Sequence, residues 1–222
     1  MNHTSGSVRR HARQPRSTIR MHRANPSLST GGWPYPMTRY VAFLRAVNVG
    51  GTGKLPMAEL RAMCESIGCT DVRTYIASGN VVLDSRLGEA SLKRRLEERL
   101  MAYAGKPVGV AIRSGAELAA VLAGNPFKSA APNRTVAIFL DEPPPADTAS
   151  HVSGLQDEEL ALGAREIYVH YSNGIARSKL KIPAAKNGTA RNMNTVATLV
   201  EWATSGVREN EASNDSGRTK DR

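Results

Sequence analysis

A strand that runs into a glycine-rich loop and then into a proline-started helix leaves a chain few choices of fold, because each step fixes where the backbone turns. Residues 41–56, VAFLRAVNVGGTGKLP, have this form, and VRTYIASGNVVL follows about twenty residues later as strand, tight polar turn, strand. Residues 39–47 alternate, with Tyr40, Ala42, Leu44 and Ala46 on one face and Val41, Phe43, Arg45 and Val47 on the other. Pro56 suits the first turn of a helix whose stripe is Met57, Leu60, Met63, Cys64 and Ile67, with Gly68 as its stop. Strands at 71–77 and 80–84 flank the Ser78-Gly79-Asn80 turn. A helix over 88–103 with the face Leu92, Leu96, Leu100, Tyr103 and a strand over 107–113 complete the order β-α-β-β-α-β, the ferredoxin-like plait.

Ser114 and Glu117 form a capping box for a further helix, which Gly124-Asn125-Pro126 ends. The plan then restarts. Strands are expected at 134–140, 158–162 and 165–171, a weak helix at 147–154, and a last helix at 192–204 with Met193, Val196, Val200 and Ala203 facing inward. This is β-α-β-β-α, an incomplete or atypical second copy. The expected class is therefore α+β with two ferredoxin-like (α/β-plait) lobes, the first over 37–125 and the second over 126–205.

The net charge of +10 suggests nucleic acid until it is located. Residues 1–36 hold six arginines and no acid, which leaves +4 for all the rest. That segment has almost no periodic apolar residues, so burial cannot offset its ordering entropy, and it reads as a disordered, dispensable basic extension preceding a natural start at Met37. Nucleic acid is the lesser partner reading, mainly through this extension. The body has few aromatic residues and lacks the Lys/Arg-Gly-Phe/Tyr-Gly/Ala-Phe pattern with which plait sheets stack bases. The polar tail 206–222 also reads as disordered. No apolar run approaches the roughly 18 residues of a membrane span, and no secretory h-region opens the chain, so a cytoplasmic location without a membrane partner is expected. Oligomeric state is left open. Cys64 and Cys69 read as reduced structural thiols, and their spacing gives no zinc site; neither a metal nor a cofactor is expected.

The loop from Asn48 to Leu55 resembles a P-loop in context but not in chemistry. A P-loop needs glycine at its first position and Ser or Thr after the lysine, where this chain has Asn48 and Leu55. The weaker claim is an anion seat, with Gly50 and Gly51 freeing backbone N–H groups and Lys54 adding charge. The alternative is that the glycines only permit a turn. Arg45 is an anion clamp if it borders this loop and a solvated arginine otherwise. A second polar cluster, with Lys179, Lys186, Arg191, Asn192 and Asn194, precedes the last helix. Asn192 or Thr189 can cap that helix, and cations at its positive end favour a bound anion. No catalytic elbow, carboxylate pair or metal cluster stands out, so no catalytic residue is assigned.

The strings YVAFLRAVNVGGTGKLPMAEL, VRTYIASGNVV, GIARSKL and TARNMNTVATL resemble the domain-of-unknown-function 1697 family of bacterial proteins, from Arg39 to Trp202. The family's first string commonly reads Leu-Leu-Arg-Gly-Ile-Asn-Val-Gly-Gly, and its last Arg-Asn-Trp-Asn-Thr. Ala46 stands here for the family glycine and Met193 for the tryptophan. The resemblance implies two plait lobes and a cytosolic protein, and it implies no activity. Its motif positions fall on Arg45, Asn48, Gly50, Gly51, Lys54, Ser78, Gly79, Asn80, Lys179, Arg191, Asn192 and Asn194. The functional expectation is a cleft between the lobes that binds an anionic small molecule, a nucleotide or phosphorylated metabolite. The alternatives are nucleic-acid binding and an enzyme acting at the same site.

Overall fold

The computed structural model describes residues 36–48 and 55–205. The readings made on 1–35, on 206–222 and on Gly50, Gly51 and Lys54 lie outside the described residues. β1 (Thr38–Leu44), α1 (Met57–Ser66), β2 (Thr70–Tyr75), β3 (Asn80–Ser85), α2 (Glu89–Ala104) and β4 (Val110–Ser114) come first. Then follow α3 (Gly115–Gly124), β5 (Thr135–Phe139), β6 (Glu158–Leu162), β7 (Glu166–Tyr171), β8 (Thr189–Asn192) and α4 (Met193–Thr204). They build two four-stranded antiparallel sheets, ordered β2-β3-β1-β4 and β6-β7-β5-β8.

The first sheet is covered on one face by α1 and α2, through Tyr40, Ala42, Leu44, Leu60, Cys64, Leu92, Leu96 and Leu100. Its other face, with Val41, Phe43 and Val82, packs with α3, α4 and the inner face of the second sheet, where Ala137, Phe139 and Tyr168 lie. The outer face of the second sheet is closed by the 3-10 turns and extended chain of 175–185, with Leu180, Ile182, Ala184 and Ala185. β1 is thus buried on both faces from Tyr40 to Leu44, which explains the unbroken apolar run there.

Several expectations need correction. The second copy has its fourth strand: β8 pairs with β5 from Val136–Asn192 to Phe139–Thr189. Its sequence, TARN, buries polar side chains and so lacks apolar alternation. The expected helix at 147–154 is a single 3-10 turn, Thr148–His151. Tyr103 is exposed, because α2 overhangs the sheet after Leu100. Leu199 rather than Val200 is fully buried on α4, since α4 contacts both sheets and its inner stripe is wider than one row. β1 stops at Leu44, and a left-handed Ala46 (φ +50) turns Val47 back into the core beside Leu44. Both cysteines are free and buried, and burial pushes the Cys64 thiol up to about 12.

Candidate functional site

The end of β1, the start of β3 and β8 meet, and this brings together residues from both polar clusters. Asn80 is fully buried, and its Nδ2 donates to Tyr75 O (3.2 Å) and Ser78 Oγ (2.8 Å). Gly79 closes that turn at φ +74; a Cβ there would lie 2.5 Å from Val47 Cγ2, so only glycine fits. Leu44 N donates to Gly79 O at 2.8 Å, which docks the turn on β1.

Arg191, half-buried on β8, reaches across to this turn. Its Nε donates to Asn80 Oδ1 (2.5 Å), and Nη2 donates to Leu44 O (2.8 Å) and Ser78 O (3.0 Å). Nη1 donates to Thr189 Oγ1 (2.7 Å) and Ala190 O (2.8 Å). All five N–H bonds therefore end on neutral acceptors, and burial alone lowers the guanidinium to about 10.

The same device is used in reverse by Arg113, which is 2 % exposed on β4. Its Nη2 donates to Leu140 O (2.7 Å) and Arg165 O (2.6 Å). The registers make the two arginines equivalent: Arg113 stands opposite Val41, two residues before Phe43, and Arg191 opposite Ala137, two before Phe139. Each guanidinium lies 5.6 Å from the other sheet's phenylalanine, and the two rings stack at 4.2 Å. The surroundings differ in charge. Asn80, opposite Phe43, corresponds to Glu166, opposite Phe139. Burial lowers the Arg113 pKa and Arg165 adds to this, while Glu89, Glu166 and Glu117 oppose it. Arg191 has no carboxylate partner among the described residues.

Beside Arg191 a cleft of about 210 Å³ opens between the sheets, lined by Arg45, Lys93, Glu97, Gly109, Asp141 and Thr189 among others. Arg45 spans it: Nη1 donates to Asn187 Oδ1 (3.4 Å) and Nη2 to the Lys186 carbonyl, both on the second lobe. On the opposite wall Lys93 Nζ donates to Val110 O (2.7 Å) and is paired with Asp141 and Glu97 at 3.0 Å. Burial works against the Lys93 ammonium, but these two carboxylates outweigh it and raise its pKa. The acids of the cleft are thus spent on Lys93, while Arg45 faces only neutral acceptors.

Asn48, itself left-handed at φ +59, ties the base of the glycine loop. Its Oδ1 accepts from Leu55 N (2.8 Å), and its Nδ2 donates to Leu55 O (3.1 Å) and Ala77 O (2.8 Å). Asn48, Ser78, Gly79, Asn80 and Arg191 therefore lie around one turn, with Arg45 next to it in sequence after Leu44, and Lys186 reaches Arg45 through its carbonyl while its side chain is exposed. Asn192 caps α4 through Oδ1 and Thr195 N (2.9 Å), with exposed Asn194 in its first turn. Thr189 lies in β8 rather than at the cap. Lys179 is not brought in. It lies on the segment closing the outer face of the second sheet, with its backbone against Gly154, whereas Arg191 is on the inner face. The sequence reading missed Lys93, Arg113 and Asn187. Arg113 carried a signal: both cross-reaching arginines directly precede a helix N-cap, as Arg113-Ser114 and Arg191-Asn192. Asn187 carried none.

Among the described residues no group of three or more metal-ligating side chains occurs, and no helix is long and apolar enough to cross a membrane. A search of curated proteins returned no match. Among solved structures, the chain is similar to a conserved bacterial protein from Streptococcus pneumoniae, with 27% identity and a TM-score of 0.64 over 76% of this chain and 99% of the other. The family model described as "Protein of unknown function (DUF1697)" matches residues 37–168, the segment that holds Arg45, Asn48, Ser78, Asn80 and both stacked phenylalanines, and the chain belongs to that family.

Proposed function

We propose that this protein binds an anionic small molecule through a phosphate or similar group in the cleft between two ferredoxin-like lobes, residues 37–125 and 126–205, in the bacterial cytoplasm. The observation that carries this reading is Arg191. A guanidinium drawn out of water costs several kcal/mol unless charge compensates it. Its structural counterpart Arg113 has three glutamates around it, and Arg191 has only dipoles. An anion in the cleft would meet Arg45 directly and feel Arg191 through Thr189, which lines the cleft and accepts from Arg191. The cleft is smaller than the roughly 300 Å³ at which drug-sized pockets begin, which favours a phosphorylated metabolite, or the phosphate end of a nucleotide, over an enclosed base.

The test is thermal stabilisation by a panel of phosphorylated metabolites at constant ionic strength. A ligand at 100 times its Kd adds about 2.7 kcal/mol of stability. Arg45→Ala is expected to remove most of that effect, since a charge-assisted hydrogen bond is worth about 1.5–3 kcal/mol. Absence of any shift at millimolar concentrations, or equal binding by Arg45→Ala, would refute the proposal.

A further inference from the structure

We propose that Asn187 is the charge-selecting residue of this cleft, and that its side-chain oxygen and the Lys186 carbonyl occupy the seats of two oxygens of the bound anion. This rests on the anion-binding reading above. Among the described residues Arg45 is the cation of the cleft that is not paired with an acid, and its half-exposed side chain is held by the second sheet's side of the cleft. It spans the gap and places two adjacent N–H groups on two adjacent oxygens of the other lobe, Asn187 Oδ1 and Lys186 O. That is the fork geometry with which a guanidinium grips two oxygens of one phosphate or carboxylate. The Lys186 carbonyl is a close partner of Arg45, and the Asn187 amide is the weak one. Asn187 is exposed and its bond is long at 3.4 Å, so its loss to a competing anion costs little.

The identity of residue 187 then decides what the cleft accepts. A neutral amide orients Arg45 without cancelling its charge. A carboxylate at the same place would satisfy the guanidinium permanently and would repel an incoming anion. The opposite wall shows this outcome within the same cleft: Lys93, held by Asp141 and Glu97, is already neutralised. The site should therefore prefer ligands with two oxygens on one centre, phosphate monoesters first and carboxylates second. Neutral sugars and single-oxygen groups should be excluded.

The experiment compares wild type, Asn187→Asp, Asn187→Ala and Arg45→Ala by calorimetric titration at constant ionic strength. The probes are inorganic phosphate, a sugar phosphate and the matching sugar carboxylate. Asn187→Asp is expected to weaken phosphate binding at least tenfold, and Asn187→Ala to keep it within threefold. Without ligand, Asn187→Asp should raise Tm, and this rise should disappear in the Arg45→Ala background, which reports the new ion pair directly. If the wild type binds phosphate and Asn187→Asp binds it equally well, the role of Asn187 is refuted while the anion site stands. If the wild type binds none of the probes, both readings fall.

Discussion

Ala46 is an L-residue at φ +50. The left-handed region costs such a residue about 1–2 kcal/mol, and glycine returns part of this as about 0.5–1 kcal/mol of unfolded-state entropy. Ala46→Gly is therefore expected to stabilise the protein by about 0.5–1 kcal/mol, read as a higher urea midpoint with unchanged slope. A lower midpoint would show that the Ala46 methyl is held by packing that outweighs the strain. At this scale the sequence was partly legible. Arg45, Asn48, Ser78, Asn80 and Arg191 were singled out as polar residues at strand ends; Arg191 bonds to the Ser78–Asn80 turn, Asn48 to the neighbouring Ala77 carbonyl, and Arg45 reaches across the cleft instead. That Arg191 spends every donor on the protein could not be read, because its acceptors are backbone carbonyls and amides up to 147 positions away. Lys179 was drawn in by its neighbours in sequence, although its segment crosses to the other face of the sheet.

Helix α3 shows what a local motif can and cannot specify. Ser114 and Glu117 make the expected capping box, with Glu117 N donating to Ser114 Oγ (3.2 Å) and Ser114 N to Glu117 Oε2 (2.8 Å). The third role of Glu117, accepting from Arg165 Nη2 at 2.7 Å, comes from the second lobe and left no local trace. Burial pushes the Glu117 carboxyl up, but the Ser114 N–H and hydroxyl and then Arg165 outweigh it, so its pKa lies below 4.5. A depressed folded-state pKa adds stability above the unfolded value, and this is lost as pH falls through the folded one. Glu117→Gln keeps an acceptor for the cap but removes the charge, and is expected to cost about 0.5–1 kcal/mol at neutral pH from the weaker bonds to Ser114 and the screened, half-exposed pair with Arg165. Denaturant melts should show that gap closing from about pH 4.5 downward; a gap independent of pH would mean the charge plays no part. β8 stayed hidden for a related reason. A four-residue edge strand that buries Thr189 and half-buries Arg191 has no period to detect.

On the scale of the molecule, the guanidinium of Arg113, the rings of Phe139 and Phe43, and the guanidinium of Arg191 form one column through the contact between the sheets. Each arginine holds the last carbonyl region of the other sheet's first strand, so neither sheet can leave without exposing a cation, a phenylalanine and the residues of the shared core. Residues 36–205 are therefore expected to unfold in a single calorimetric transition with matching calorimetric and van't Hoff enthalpies. Two resolved transitions would show that the lobes are energetically independent. The matching order of the two sheets was legible as a repeated order of elements, but not as a repeated sequence. The arginine before each cap and the phenylalanines Phe43 and Phe139 occupy matching places, while Asn80 and Glu166 carry different charges at matching places.

The reciprocity of the two arginines has the form of an isologous contact, the arrangement two identical chains make about a twofold axis, where residue i meets j and j meets i. In a pair of separate chains, both arginines would have to share one environment, and an acid beside one would stand beside the other. Covalent joining through 125–134 removes that constraint and replaces a concentration-dependent encounter with an effective concentration set by the tether. The two ends therefore need not match: one is the acid-lined structural end around Arg113, and the other holds Arg191, with no acid partner among the described residues, beside an open cleft.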